Sequence, residues 1–166
     1  VTLALELDDT PLSTELQGFI DAMVALSGGK LKSVVVDGEY EKDDMGRSVF
    51  DVEHVLPAAR PCVRMVVDGK PTGLAFHGVP SGHEFNSFVL GLYNVAGSGQ
   101  PLGDDLIERA KSITDPLSIM ILVSLTCTMC PETVLASQRI ASLNPAVRAE
   151  AYDVAHFSEL RDHYGA

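Results

Sequence analysis

From Val1 to Leu7, apolar and polar positions alternate at the period of two expected of a strand with one buried face. The period then lengthens. Leu12, Leu16, Phe19, Met23 and Leu26 recur at spacings of three and four, which predicts a helix with Thr10 as N-cap, Pro11 at its first position and Gly28-Gly29 as its stop. A second strand is expected over Leu31 to Val36, then a charged, solvated loop from Glu39 to Arg47. After Arg60-Pro61, the segments Cys62 to Val67 and Thr72 to His77 read as a hairpin turning at Asp68-Gly69-Lys70-Pro71. Pro80 to Glu84 opens a helix whose apolar face is Phe85, Phe88, Val89 and Leu92, ending near Gly97.

Gly97 to Pro101 carries a linker signal, and Leu102 to Ile113 reads as an amphipathic helix with Asp104 and Asp105 in its first turn. After it the order restarts: a strand over Leu117 to Leu125, a tight turn, a helix to about Leu143 and a stop at Asn144-Pro145. A strand from Ala146 to Tyr152 and a short helix near His156 to His163 complete it. The pattern predicts an α/β protein of two half-similar units, residues 1–97 and 98–166, each with its own mixed sheet. The second unit lacks a hairpin and closing helix, roughly 30 residues.

Composition narrows the function classes. With 46% hydrophobic residues in 166, the chain has enough apolar side chain for a packed core. No apolar run reaches the roughly 18 residues of a membrane span, and Val1 to Leu7 has neither the basic start nor the cleavage site of a signal peptide. A first residue other than Met suggests a trimmed or excised piece. Twelve Lys and Arg against 23 Asp and Glu give a formal charge of -11, which repels nucleic acid and anionic lipid and points to proteins or small molecules as partners. Three cysteines without a framework of pairs fit a reducing cytoplasm, where a disulfide is transient.

Two of those cysteines, Cys127 and Cys130, lie in Ser124 to Pro131 (SLTCTMCP), between an apolar strand pattern and a helix pattern. A turn feeding a helix start offers unpaired amides and the positive end of the helix dipole, which favour a Cys127 thiolate. Cys130, one turn on, faces it and can close a disulfide, and Pro131 fits the first helical turn. Half of a zinc site and a structural pair of thiols are the alternatives, although Cys62 has no Cys or His at ligand spacing. Cys62 itself reads as a buried core thiol, and His54, His77, His156 and His163 as structural or solvated. Glu84 has two readings: Ser81-Gly82-His83-Glu84 matches a capping box, and a carboxyl packed near the dithiol could exchange protons with it.

SLTCTMCP, Leu143-Asn144-Pro145 and GHEFNSFVLGL (Gly82 to Leu92) together resemble the N-terminal disulfide-carrying region of the alkyl hydroperoxide reductase flavoprotein, in order and separation. The resemblance implies two tandem thioredoxin-like folds, the first without active cysteines and the second, bearing the dithiol, truncated at its C-terminal end. It also implies an electron carrier: electrons arrive from a reductase domain holding FAD and NADH or NADPH, and leave to a peroxiredoxin. Cys127 would be the attacking thiol, Cys130 the resolving thiol and Glu84 an acid/base group. This sequence departs from the family in lacking the flavin domain, a helix before the first strand and the half of the second fold with a cis-proline facing the dithiol. Alternative roles are a free-standing protein disulfide reductase and a non-catalytic docking module.

Overall fold

The computed structural model describes residues 1–36 and 59–166, so the expected charged loop from Glu39 to Arg47, and His54, lie outside the described residues. Six strands form one sheet in the order β2-β1-β3-β4-β6-β5. The first four are β1 (Thr2–Glu6), β2 (Lys32–Val35), β3 (Cys62–Val67) and β4 (Lys70–His77). Helix α1 (Pro11–Leu26) crosses between the parallel strands β1 and β2, and β3 runs antiparallel between β1 and β4. The hairpin turn is tighter than the sequence suggests. Asp68 and Gly69 both have positive φ, 51° and 76°, the two-residue geometry that matches strand twist, so β4 already begins at Lys70.

Helix α2 (Glu84–Ala96) follows, then α3 (Asp104–Lys111), β5 (Leu117–Val123), α4 (Cys130–Leu143), β6 (Val147–Asp153) and α5 (Ser158–Tyr164). The sheet corrects the expectation that each half carries a sheet of its own. β6 pairs in parallel with β4 of the first half on one side and with β5 on the other, so the strands of both halves form one surface. Hydrophobic alternation shows which face a strand buries, not which strand lies beside it.

Strand alternation sorts the core into two layers. Leu3, Leu5, Val63, Met65, Leu74, Phe76, Ile121, Val123, Ala149 and Ala151 face the layer holding Leu16 and Ile20 of α1, Phe88 and Leu92 of α2, and Val134 and Ala141 of α4. Each such buried Leu, Ile or Phe contributes about 1.5–3 kcal/mol. On the opposite face, Tyr152 packs with Ala59, Phe157 and Leu160 under α5. The same alternation sends Glu6, Cys62, Arg64, His77 and Glu150 to that second face, all buried. Arg64 bridges Glu6 at 2.6 Å and Glu150 at 2.7 Å, and the His77 Nε2 lies 3.0 Å from Glu150. Burial works against the Glu150 charge, yet Arg64 and the hydrogen bond from His77 outweigh it and hold the carboxyl far below the usual carboxylate range. This cluster joins β1 and β3 of the first half to β6 of the second.

Candidate functional site: the dithiol turn

Helix α4 begins at Cys130, with proline in its first two positions, and the turn before it carries Cys127. No side chain caps the helix from Met129. The Cys127 sulfur takes that role instead, accepting the Cys130 backbone N–H at 3.2 Å, while the Cys127 N–H donates to Ser124 O at 2.9 Å. Both cysteines are unbridged thiols, half-buried, and Met129 between them is exposed.

The two thiols are driven apart. Cys127 is held below the ordinary thiol range, first by a hydrogen bond from the Cys130 thiol and then by the Met129 and Cys130 backbone amides. Cys130 is pushed up, first by burial, then by the hydrogen bond it gives Cys127 and by the charges of Cys127 and Glu84. The helix-start amides expected to stabilise the thiolate do so, but second to the neighbouring thiol. Cys62 differs: it is 1% exposed, its sulfur lies 3.7 Å from His77 Nε2, and burial pushes its thiol well up.

Glu84 comes to this turn from the first half. The His83 N–H donates to Leu125 O at 3.0 Å, and at Gly82, φ +56°, an added Cβ would stand 2.6 Å from that same carbonyl, so backbone lies directly on backbone. The expected capping box does not form. Helix α2 starts at Glu84 itself, the Glu84 N–H bonds to the backbone oxygen of Ser81 at 3.0 Å, and the Ser81 N–H donates to Val79 O. The Glu84 side chain is instead fully buried, hydrogen-bonded to Ser87, with Oε1 lacking a partner among the described residues. Burial pushes its carboxyl up, against the opposing effects of the Ser87 hydrogen bond and the His83 charge. Its own charge acts on both thiols.

Among the described residues no three His, Cys, Asp or Glu side chains are placed to hold a metal ion. A cavity of about 460 Å³ between α3 and α4, walled by Leu102, Leu106, Ile113 and Ile140, shares no residue with the dithiol turn. Sequence reasoning placed Cys127, Cys130 and Glu84, and the fold brings the three together. It missed Ser87, which reads as one more polar residue in the first turn of α2.

Two half-buried thiols one helical turn apart, the first with a lowered pKa and the second with a raised one, have the chemistry needed to open and close a disulfide. Fold and site define the class of thioredoxin-like disulfide oxidoreductases, of which this chain is a member or a piece. It belongs to the AhpF family of alkyl hydroperoxide reductases. The Pseudomonas aeruginosa relative is 33% identical over 157 residues, 95% of this chain and 26% of that protein. The Staphylococcus aureus relative is 35% identical over 158 residues, 89% of this chain and 31% of that protein. The chain thus spans between a quarter and a third of these curated relatives. Among solved structures, the N-terminal domain of AhpF from Enterococcus faecalis superposes with a TM-score of 0.83 at 37% identity, covering 99% of this chain and 76% of that one. A protein disulfide oxidoreductase from Aeropyrum pernix shares the fold, with a TM-score of 0.77 at 23% identity over 100% of this chain and 72% of that one. No family model matches the chain. None of the helices, among the described residues, is long and apolar enough to cross a membrane.

Proposed function

We propose that this chain is a dithiol electron carrier that takes electrons from a flavin and nicotinamide reductase domain and passes them to the disulfide of a peroxiredoxin in a reducing cytoplasm. FAD and NADH or NADPH belong to the reductase domain, and this part of the protein holds only the dithiol. The observation that carries the reading is the unequal pair: Cys127 accepts hydrogen bonds from Cys130, which lower its pKa, while burial raises that of Cys130. The Cys127 sulfur attacks a partner disulfide and forms a mixed disulfide. Cys130 then loses its proton and displaces the partner sulfur, so the partner leaves reduced and the pair is oxidised. Glu84, buried and with a charge that acts on both thiols, is the acid/base group for the Cys130 proton.

The fold supports a finer reading of the same kind. β1–α1–β2 and β5–α4–β6 are both parallel strand pairs with a helical crossover, as two tandem thioredoxin-like halves sharing a sheet would have. The division falls between α2 and α3, close to Gly97, and the second half contributes two strands against four.

The test mixes reduced protein with an oxidised peroxiredoxin and follows the partner's new thiols. Cys127→Ser abolishes transfer, and Cys130→Ser accumulates a mixed disulfide with the partner. Reduction of a generic protein disulfide such as insulin, with the peroxiredoxin untouched, would replace this reading with that of a free-standing reductase. A dithiol that never cycles would leave a docking module.

A further inference from the structure

The Ser87 hydroxyl is fully buried and has one proton to give, yet two oxygens of Glu84 lie within hydrogen-bond reach: the backbone carbonyl at 2.9 Å and the carboxyl Oε2. When the carboxyl is ionised, both are acceptors, and the hydroxyl proton is needed at Oε2. When the carboxyl is protonated, its own O–H donates to the Ser87 oxygen, and the hydroxyl is free to donate to the carbonyl. In either state Ser87 leaves no polar atom of the pair at Oε2 unbonded, which a buried carboxyl with a fixed charge would not require.

We propose that Ser87 is a positioning residue for the Glu84 carboxyl, its hydroxyl turning between Oε2 and the Glu84 carbonyl as that carboxyl takes a proton from Cys130 and returns it. The inference rests on the dithiol carrier reading. In the resolving step the Cys130 S–H bond breaks and an O–H bond forms on Glu84. The Cys130 sulfur then attacks Cys127, the partner leaves with the bonding pair of the mixed disulfide, and the dithiol has lost two electrons. Reduction runs the same proton back. The titratable groups facing Glu84 are His83 on its own turn and Cys127 and Cys130 across from it. Burial raises the pKa of the Glu84 carboxyl, while the Ser87 hydrogen bond and the His83 charge oppose the rise.

The two steps can be timed separately with an aromatic disulfide whose thiol is coloured: attack by Cys127 releases one equivalent, and closure by Cys130 the second. Closure requires ionised Glu84, so its rate falls on the acid side. Removing the hydroxyl in Ser87→Ala deprives the carboxylate of a hydrogen bond, and the acid limb of the second phase moves up by roughly one pH unit, about tenfold slower at a pH below it. Ser87→Thr restores the limb, and infrared titration of the carboxyl, identified by its loss in Glu84→Gln, follows the same shift. An acid limb retained in Glu84→Gln defeats the reading of Glu84 as proton acceptor. A limb lost in Glu84→Gln but unmoved in Ser87→Ala, with an unmoved carboxyl titration, overturns the inference about Ser87 alone.

Discussion

Helices α1 and α4 start alike: each follows a strand by a short turn, and each carries a proline in its first two positions. What meets the unpaired amides differs. At α1 the acceptors are oxygens. Thr10 accepts from the Ser13 N–H at 3.4 Å, and Asp8 Oδ1 accepts from the Thr10 N–H at 3.1 Å and from the Ser13 hydroxyl at 2.6 Å. At α4 the acceptor is the Cys127 sulfur, taking the Cys130 N–H at 3.2 Å. Sulfur accepts hydrogen bonds more weakly than oxygen, so α4 gains less from its cap. The same amides there stabilise a charge that can react. The backbone differs as well, extended at Thr10 and helical at Met129, so the first start is closed by its own cap residue and the second by a sulfur three residues before the amide it accepts.

The sharpest way to break that comparison is chemical. If the amides and the Cys130 thiol make Cys127 a thiolate, limited iodoacetamide near neutral pH modifies Cys127 first, Cys130 well behind it, and Cys62 only when the protein unfolds. Peptide mapping of timed samples reads the order. Equal rates at Cys127 and Cys130 would show that the start of α4 gives its sulfur no added reactivity. Because the Cys127 pKa is lowered, its rate plateaus at a lower pH than that of an ordinary thiol, whereas the rate at Cys130 keeps rising above it.

A smaller effect is expected where the two halves touch. Gly82 has φ +56° and its missing Cβ leaves room for Leu125 O, so Gly82→Ala costs the strain of a left-handed residue plus the displacement of a backbone carbonyl. A loss of about 2–3 kcal/mol in urea unfolding is expected. Because Leu125 belongs to the dithiol turn, the variant should also slow closure of the disulfide. The corresponding approach is absent at α1, where, among the described residues, none of the hydrogen bonds of the Asp8–Ser13 turn reaches the second half.

Much of this was legible before the fold was known. Helix α1 shows because its stripe and its Thr10-Pro11 start agree, and the turn carrying Cys127 because an apolar strand pattern gives way there to a helix pattern. The merged sheet was not legible. Arg64 and Glu150 each read as one charged residue in an apolar strand, and only the parallel register of β4 with β6, which sets Ala75 beside Glu150, brings them together. Pairing across 86 positions of sequence leaves no local trace. The helix start at Glu84 differs from the one its local pattern suggests. The Ser-x-x-Glu pattern suits an N-cap at Ser81, and the N-cap falls two residues later at His83, because Gly82 and His83 are held by the turn that carries Leu125.

The smallest effect concerns the oxygen-capped start itself. Asp8 is partly desolvated, which raises its pKa, but hydrogen bonds from Ser13 and Thr10 outweigh this and hold the carboxyl below its usual value. A carboxyl whose pKa is depressed on folding adds stability that is present above the unfolded value, about 3.9, and lost as pH falls through the lower folded value. Asp8 is exposed, so solvent screening limits the contribution to no more than about 0.5 kcal/mol. Asp8→Asn keeps an acceptor for the Thr10 N–H but removes the charge, so its stability at neutral pH falls slightly below that of the parent, and the gap closes as pH drops below about 4. Urea midpoints measured from pH 7 to pH 3 give the test. A gap that persists unchanged at the acid end would mean that the charge of Asp8 contributes nothing and that the cap of α1 works through hydrogen-bond geometry alone.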